Sequence, residues 1–281
     1  MRFGIVTFAT DRSISPGDLG RAVEDAGFDS LFMTEHSNIP ASRRTPYPGG
    51  GSLPDEYLRT YDPFIALTAA AMTTTTLRIG TGMCLVAQRD PIHTAKATAS
   101  LDQISQGRFQ FGVGAGWNRE EMEQHNTDPR TRMALLRERV LAIKRLWNDD
   151  VACFRGDFVD IEPTTVRPAP FQKPGPPVIL GGMGPTVIER VVDYADAWAP
   201  NPGWPPMPDL PDRIVQLRES AQAAGRGHIP VYLFGMDAVA EHIDNYAGLG
   251  VEECVFLLPT LSLEETLTEL KRITSVAEPY R

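Results

Sequence analysis

Apolar positions along this chain keep switching between two periods. Short runs are alternating or continuously apolar, as buried strands are: Phe3–Phe8, Phe28–Thr34, Leu77–Leu85, Phe109–Val113, Val178–Leu180, Ala197–Ala199, Val231–Phe234 and Cys254–Leu258. Between them apolar residues recur every three or four positions. Leu19, Val23 and Ala26 form one such face, Met133, Leu136, Val140, Ile143 and Trp147 another, and Val187, Val191 and Ala195 a third. Start signals precede several of these faces. Ser15 with Asp18, and Ser262 with Glu265, read as caps with an acid three residues on, while Asp62-Pro63 and Asp90-Pro91 read as a cap followed by proline in the first turn. Asp237 is expected to open the helix that carries Val239, Ile243 and Ala247. Phe154 and Phe158 around Gly156-Asp157 suggest a small hairpin.

Strand followed by helix, eight times, predicts a parallel sheet covered on its outer face. In one chain of 281 residues this fits a single-domain (β/α)8 barrel over residues 1–281. The competing doubly wound sheet would carry a dinucleotide fingerprint after its first strand, and residues 8–17 have none. Two stretches rich in Pro and Gly, 37–60 and 200–211, are the expected active-site loops.

Composition narrows the partners. A hydrophobic fraction of 42% supports one large core, and a net charge of −9 argues against nucleic acid and anionic membrane. Three scattered cysteines without a CxxC pair predict neither a disulfide framework nor a metal site. The first apolar run is too short for a signal peptide or a membrane span, so a cytoplasmic protein is expected.

In such a barrel chemistry sits where strands end. That rule selects Glu35-His36, Gly82-Met83-Cys84, Gly114 to Asn118, Gly181 to Gly184, and Asn201 to Trp204. At Gly107–Glu121 a strand runs into a glycine turn, and Asn118 then reads as a helix cap with Glu121 as its reciprocal acid. Glycines at 112, 114 and 116 miss the dinucleotide spacing because Trp117 stands where the third is needed. Both this turn and Gly181-Gly182-Met183-Gly184, with Pro185 expected to start the next helix, can offer backbone N–H groups to an anion. Each also has an ordinary tight-turn reading; at 107–121 the two readings stand even, while at 181–184 the anion reading is preferred because the turn follows a strand directly. His36 is the one histidine at a strand end, suited to hydrogen bonding or proton transfer near neutral pH, or to a purely structural role. Glu35 should face the other way on an extended chain. The acidic run Glu120–Glu123 reads most simply as a solvated helix face.

Taken in order, these residues resemble the luciferase-like monooxygenase superfamily of flavin or deazaflavin (coenzyme F420) barrel enzymes. The resemblance runs from about residue 1 to the end of the chain. It is carried by Phe28 to His36, Arg78 to Gly82, Arg89-Asp90-Pro91 through Ala95-Lys96, Leu101-Asp102, Gly107 to Trp117 and Pro177 to Gly182. The run Gly112 to Trp117 with the charged pair after it resembles the F420-dependent branch. The resemblance implies that His36 is catalytic and lies by the ring, with Glu35 beside it. It also implies a non-proline cis peptide at Gly82-Met83 behind the ring. Asn118 would touch the cofactor's side chain, and Gly181, Gly182, Met183 and Gly184 would hold its phosphate. Related sugar-phosphate dehydrogenases carry a glutamate acid where this chain has Ala115, and a tryptophan near Ile39-Pro40. Their reaction is therefore not expected, and no other proton donor stands out. The implied activity is hydride transfer between F420 and a small organic substrate. The alternatives are an FMN monooxygenase fed by a partner reductase, or a flavin-binding protein without catalysis. A homodimer is implied as well.

Overall fold

The computed structural model describes residues 1–203 and 207–281. Eight strands form the barrel: β1 (Arg2–Thr7), β2 (Ser30–Met33), β3 (Arg78–Thr81), β4 (Phe109–Gly114), β5 (Val178–Gly181), β6 (Ala197–Ala199), β7 (Tyr232–Met236) and β8 (Glu253–Leu257). They run parallel in the order β7-β8-β1-β2-β3-β4-β5-β6. The two ends of that order meet in a parallel bridge between Trp198 and Val231, so the expected barrel is formed.

The major helices pack outside: α1 (Pro16–Asp25), α2 (Pro63–Met72), α3 (Pro91–Ile104), α4 (Arg132–Asn148), α5 (Val187–Tyr194), α6 (Leu210–Ala223), α7 (Ala240–Ala247) and α8 (Leu263–Ala277). Four of their starts follow the sequence signals closely. Ser15 accepts from Asp18 N, Asp62 from Phe64 N and Ile65 N, Asp90 from His93 N, and Ser262 forms a reciprocal box with Glu265. The hairpin is present, as Ala152–Arg155 paired antiparallel with Asp160–Thr164.

The barrel interior holds its own apolar layer of Val6, Phe32, Ile179, Ala197, Ala199, Tyr232, Phe234 and Val255, with Met83 against it. Below it, fully buried Glu253 takes donors from Ser30, from Arg78 at 2.9 Å and from Arg2 at 3.4 Å. Arg2, Ser30, Arg78 and Glu253 are each the first residue of a strand, so this cluster closes the N-terminal end and leaves function to the other.

Three local expectations are corrected. The run Leu77–Leu85 is not one strand: β3 stops at Thr81, a cis peptide joins Gly82 to Met83, and Cys84–Leu85 pairs with Val113–Gly114 instead. Pro185 does not start a helix, because the Gly184 carbonyl accepts Val187 N and α5 begins only at Val187. Asp237 does not cap α7, whose N-cap is Val239 in an extended conformation.

Close strand packing at the β3–β4 seam predicts an intolerant site. A Cβ on Gly112 would be driven into the Thr81 carbonyl oxygen, whereas one on Gly227 meets nothing within 4 Å. Gly112→Ala should lose at least about 2 kcal/mol of unfolding free energy and Gly227→Ala less than about 0.5. Urea denaturation of the two variants checks this, and equal midpoints would contradict it.

Candidate active site

The C-terminal mouth gathers residues from distant parts of the chain. Beyond β2 the chain carries Glu35 and His36, which turn to opposite sides as extended backbone requires. Glu35 accepts from Leu85 N at 2.7 Å and from the Arg89 guanidinium. Arg89 continues to Asp62 at 2.6 Å, the cap of α2. The Glu35 carboxylate thus faces the loop after the cis peptide. Burial and the Glu35 charge hold the neighbouring Cys84 thiol well above its ordinary range, so it stays protonated.

His36 is fixed from three sides. Its N–H donates to Thr60 Oγ1 at 3.2 Å, and that hydroxyl donates back to the His36 carbonyl at 2.8 Å. Its Nδ1 lies 2.9 Å from Glu121 Oε2. Since an ionised carboxylate only accepts, Nδ1 carries the proton in that state, and Nε2 is the nitrogen left for chemistry. Tyr57 and Trp117 pack on the ring at 5.2 and 5.8 Å between centroids. Tyr47 covers both of them, at 5.3 and 6.0 Å.

Glu121 comes from a short helix, Arg119–Gln124, which Asn118 caps through Oδ1 to Glu121 N at 3.4 Å. The cap is as expected, but Glu121 does not reach back to it: its carboxylate goes to His36 instead. Glu121 has 0% exposure, and among the described residues Glu121 Oε1 and Asn118 Nδ2 are buried without partners. Glu120 is buried too and only Glu123 of the run is exposed, so Glu120 and Glu121 do not form the expected solvated face. Glu120 accepts from Thr45 N at 3.0 Å, Arg119 N donates to Thr45 Oγ1 at 3.3 Å, and Gln124 accepts from Asn38 at 2.6 Å. The loop 37–60 therefore docks on the same short helix that holds His36.

Met83 projects into the mouth between bare backbones. A Cβ on Gly114 would lie 3.2 Å from Met83 Cβ, and one on Gly181 2.9 Å from Met83 Cγ. Ala115 is buried and supplies no acid. At the β5 end the turn 181–184 is held from behind: Trp198 Nε1 donates to the Gly182 carbonyl, and Arg213 Nη1 to those of Met183 and Gly184. Trp204, picked out from sequence, lies outside the described residues. Sequence reasoning missed the Glu121 pairing, the tyrosines 47 and 57, and Arg213. Only Glu121 had a local signal, and it pointed to another role. Among the described residues no helix is long and apolar enough to cross a membrane.

Residues 1–249 match the luciferase-like monooxygenase family. An uncharacterized protein of Mycobacterium tuberculosis is 35% identical over 280 residues, covering 98% of both chains. Among solved structures, a monooxygenase from Streptomyces bottropensis superposes with a TM-score of 0.81 at 20% identity, over 100% of this chain and 99% of that one. An F420-dependent secondary alcohol dehydrogenase in complex with an F420–acetone adduct gives 0.73 at 16%, over 98% and 99%. At these identities the two structures support the fold.

The loop contact makes docking pH-dependent. Burial pushes the Glu120 carboxyl up, but the Thr45 N–H and hydroxyl outweigh it and hold its pKa at about 2, below the ordinary 4.5. A depressed folded pKa gives a contribution that is complete above the ordinary value and lost as pH falls toward the folded one. Pepsin should therefore cut within 37–60 increasingly as pH drops from about 4.5 to about 2. Glu120→Gln should lack this added increase, so the ratio of parent to variant cleavage should rise as the pH falls through that window. A cleavage rate in the parent chain that keeps its ratio to the variant's at every pH would contradict this.

Proposed function

The chain belongs to the luciferase-like monooxygenase family, and we propose that it works there as an F420-dependent oxidoreductase acting on a small organic substrate. The observation that carries this reading is the buried His36–Glu121 pair at the barrel mouth, beside the glycine-walled Met83 and an open glycine turn. The residues fit a planar cofactor with a phosphoryl group. Bare backbone at Gly114 and Gly181 surrounds Met83 with the kind of surface a ring can lie against. The turn Gly181 to Gly184 would hold the phosphoryl oxygens, and Asn118, whose buried amide nitrogen has no partner among the described residues, would meet the cofactor's side chain. When bound, the deazaflavin accepts or donates a hydride. What favours F420 over FMN is the run Gly112 to Trp117 with the charged pair after it.

His36 does the proton work in this reading. With Nδ1 committed to Glu121, Nε2 accepts the hydroxyl proton when a substrate alcohol is oxidised and returns it when a carbonyl is reduced. The Glu121 carboxylate stabilises the resulting imidazolium and fixes the ring's orientation. Glu35 works indirectly, by pinning Leu85 N and Arg89 behind the Gly82-Met83 peptide. Tyr47, Tyr57 and Trp117 keep the histidine away from bulk water.

Assembly belongs to the same proposal. Helix α2 buries Phe64, Leu67 and Ala70 against the barrel yet exposes Ile65 at 73% and Met72 at 70%. A helix apolar on both sides needs a second cover, and a second copy of this chain supplies it.

Fluorescence titration should give a lower Kd for F420 than for FMN, and comparable or tighter FMN binding would overturn the cofactor choice. His36→Ala should lower turnover about 100-fold or more while moving the cofactor Kd less than about threefold. Glu121→Gln should shift the pH–rate profile with a smaller loss. Unchanged turnover in His36→Ala would return the histidine to a structural role. Light scattering at micromolar concentration should report a dimer that Ile65→Glu dissociates, and a monomeric parent protein would refute the assembly.

A further inference from the structure

The turn after β5 presents three consecutive carbonyl oxygens to side chains behind it. Trp198, fully buried in β6, donates Nε1–H to the Gly182 oxygen at 2.9 Å. Arg213 of α6 donates Nη1–H to the oxygens of Met183 at 3.0 Å and Gly184 at 3.1 Å. The guanidinium is itself held from the far side, where Nε donates to Asp209 at 2.7 Å. In a planar trans peptide the C=O of one residue and the N–H of the next point in opposite directions. Fixing the Gly182 oxygen therefore aims the Met183 N–H away from Trp198, and fixing the Met183 oxygen aims the Gly184 N–H away from Arg213. The third carbonyl precedes Pro185, which has no N–H to aim.

We propose that Trp198 and Arg213 are positioning residues for anion binding at this turn, holding the Met183 and Gly184 N–H groups toward phosphoryl oxygens; this rests on the reading that the turn receives the cofactor's phosphate. The clamp is needed because Gly182 and Gly184 would otherwise let these peptides rotate, and a free donor loses entropy when it is ordered. Gly182 already sits at φ +132°, a conformation that favours glycine. Arg213 thus serves the anion without touching it, by taking the acceptor side of the same peptides. The turn needs no lysine because its positive edge is backbone whose direction has been set in advance.

The test follows the two amides directly. In 15N-labelled protein, inorganic phosphate should shift the Met183 and Gly184 resonances, and Arg213→Met should weaken the phosphate Kd about tenfold. Arg213→Lys, which keeps a cationic donor without the planar fork, should recover part of that loss. Circular dichroism and thermal melting identify the folded variants. Wild-type amides that ignore phosphate, or an unchanged phosphate Kd in folded Arg213→Met, would overturn the proposal. Should Arg213→Met prove unfolded, Trp198→Phe takes its place: a selective loss of the Met183 response supports the clamp, and an unaltered response overturns it. F420 and FMN titrations are run alongside. If both fail to bind while phosphate still shifts the amides, the cofactor reading falls and the positioning role stands.

Discussion

A buried carboxylate must be matched by donors, and three of the buried carboxylates of this barrel meet that need with different results. At the closed end Glu253 meets two arginines and a serine. At the open end Glu35 meets Arg89 and a backbone N–H. Those partners are permanently charged or permanently neutral, so both sites are fixed struts. Glu121 has a titratable imidazole for its partner, and its second oxygen is left without one among the described residues. Of the three, it alone couples the fold to a proton that can leave. The strut built on Glu35 and the pair built on Glu121 flank the same strand exit, one turned to the helices and one to the mouth.

Much of this architecture was legible because it depends on local rules. The cap side chains of Ser15, Asp62, Asp90 and Ser262 accept from backbone N–H groups within three residues, so sequence spacing alone locates them. The barrel order follows from repeated strand–helix alternation. What could not be read depends on approach through space. Asn118 and Glu121 have capping-box spacing, yet the carboxylate leaves the helix for a histidine 85 positions away. Gly82 and Met83 lie inside an apolar run that looks continuous, and the cis peptide that divides it was expected only through the family resemblance. Arg213 and Trp198 lie far down the chain from the turn they hold, and nothing beside them in sequence marks that task.

The short helix Arg119–Gln124 joins two functions that sequence treats separately. Consecutive acids divide the work, Glu120 taking the loop and Glu121 the histidine. Adjacent residues on a helix point about 100° apart, so one short segment serves two neighbours without bending. A disturbance of loop docking is therefore felt at the carboxylate that orients the imidazole.

The loop itself is anchored unevenly. Its ends are tied through Thr60 to the His36 backbone and through Asn38 to Gln124, with Thr45 fixed between them. Its tip, Gly49 to Ser52, is exposed, and a Cβ on Gly50 or Gly51 meets nothing within 4 Å. Closure entropy grows only logarithmically, by about 0.6 kcal/mol for each doubling of length. Insertions at this tip can consequently accumulate without any refitting of the barrel. The length of this loop is thus a nearly neutral variable, open to diversification while the barrel and the short helix it docks on stay constant.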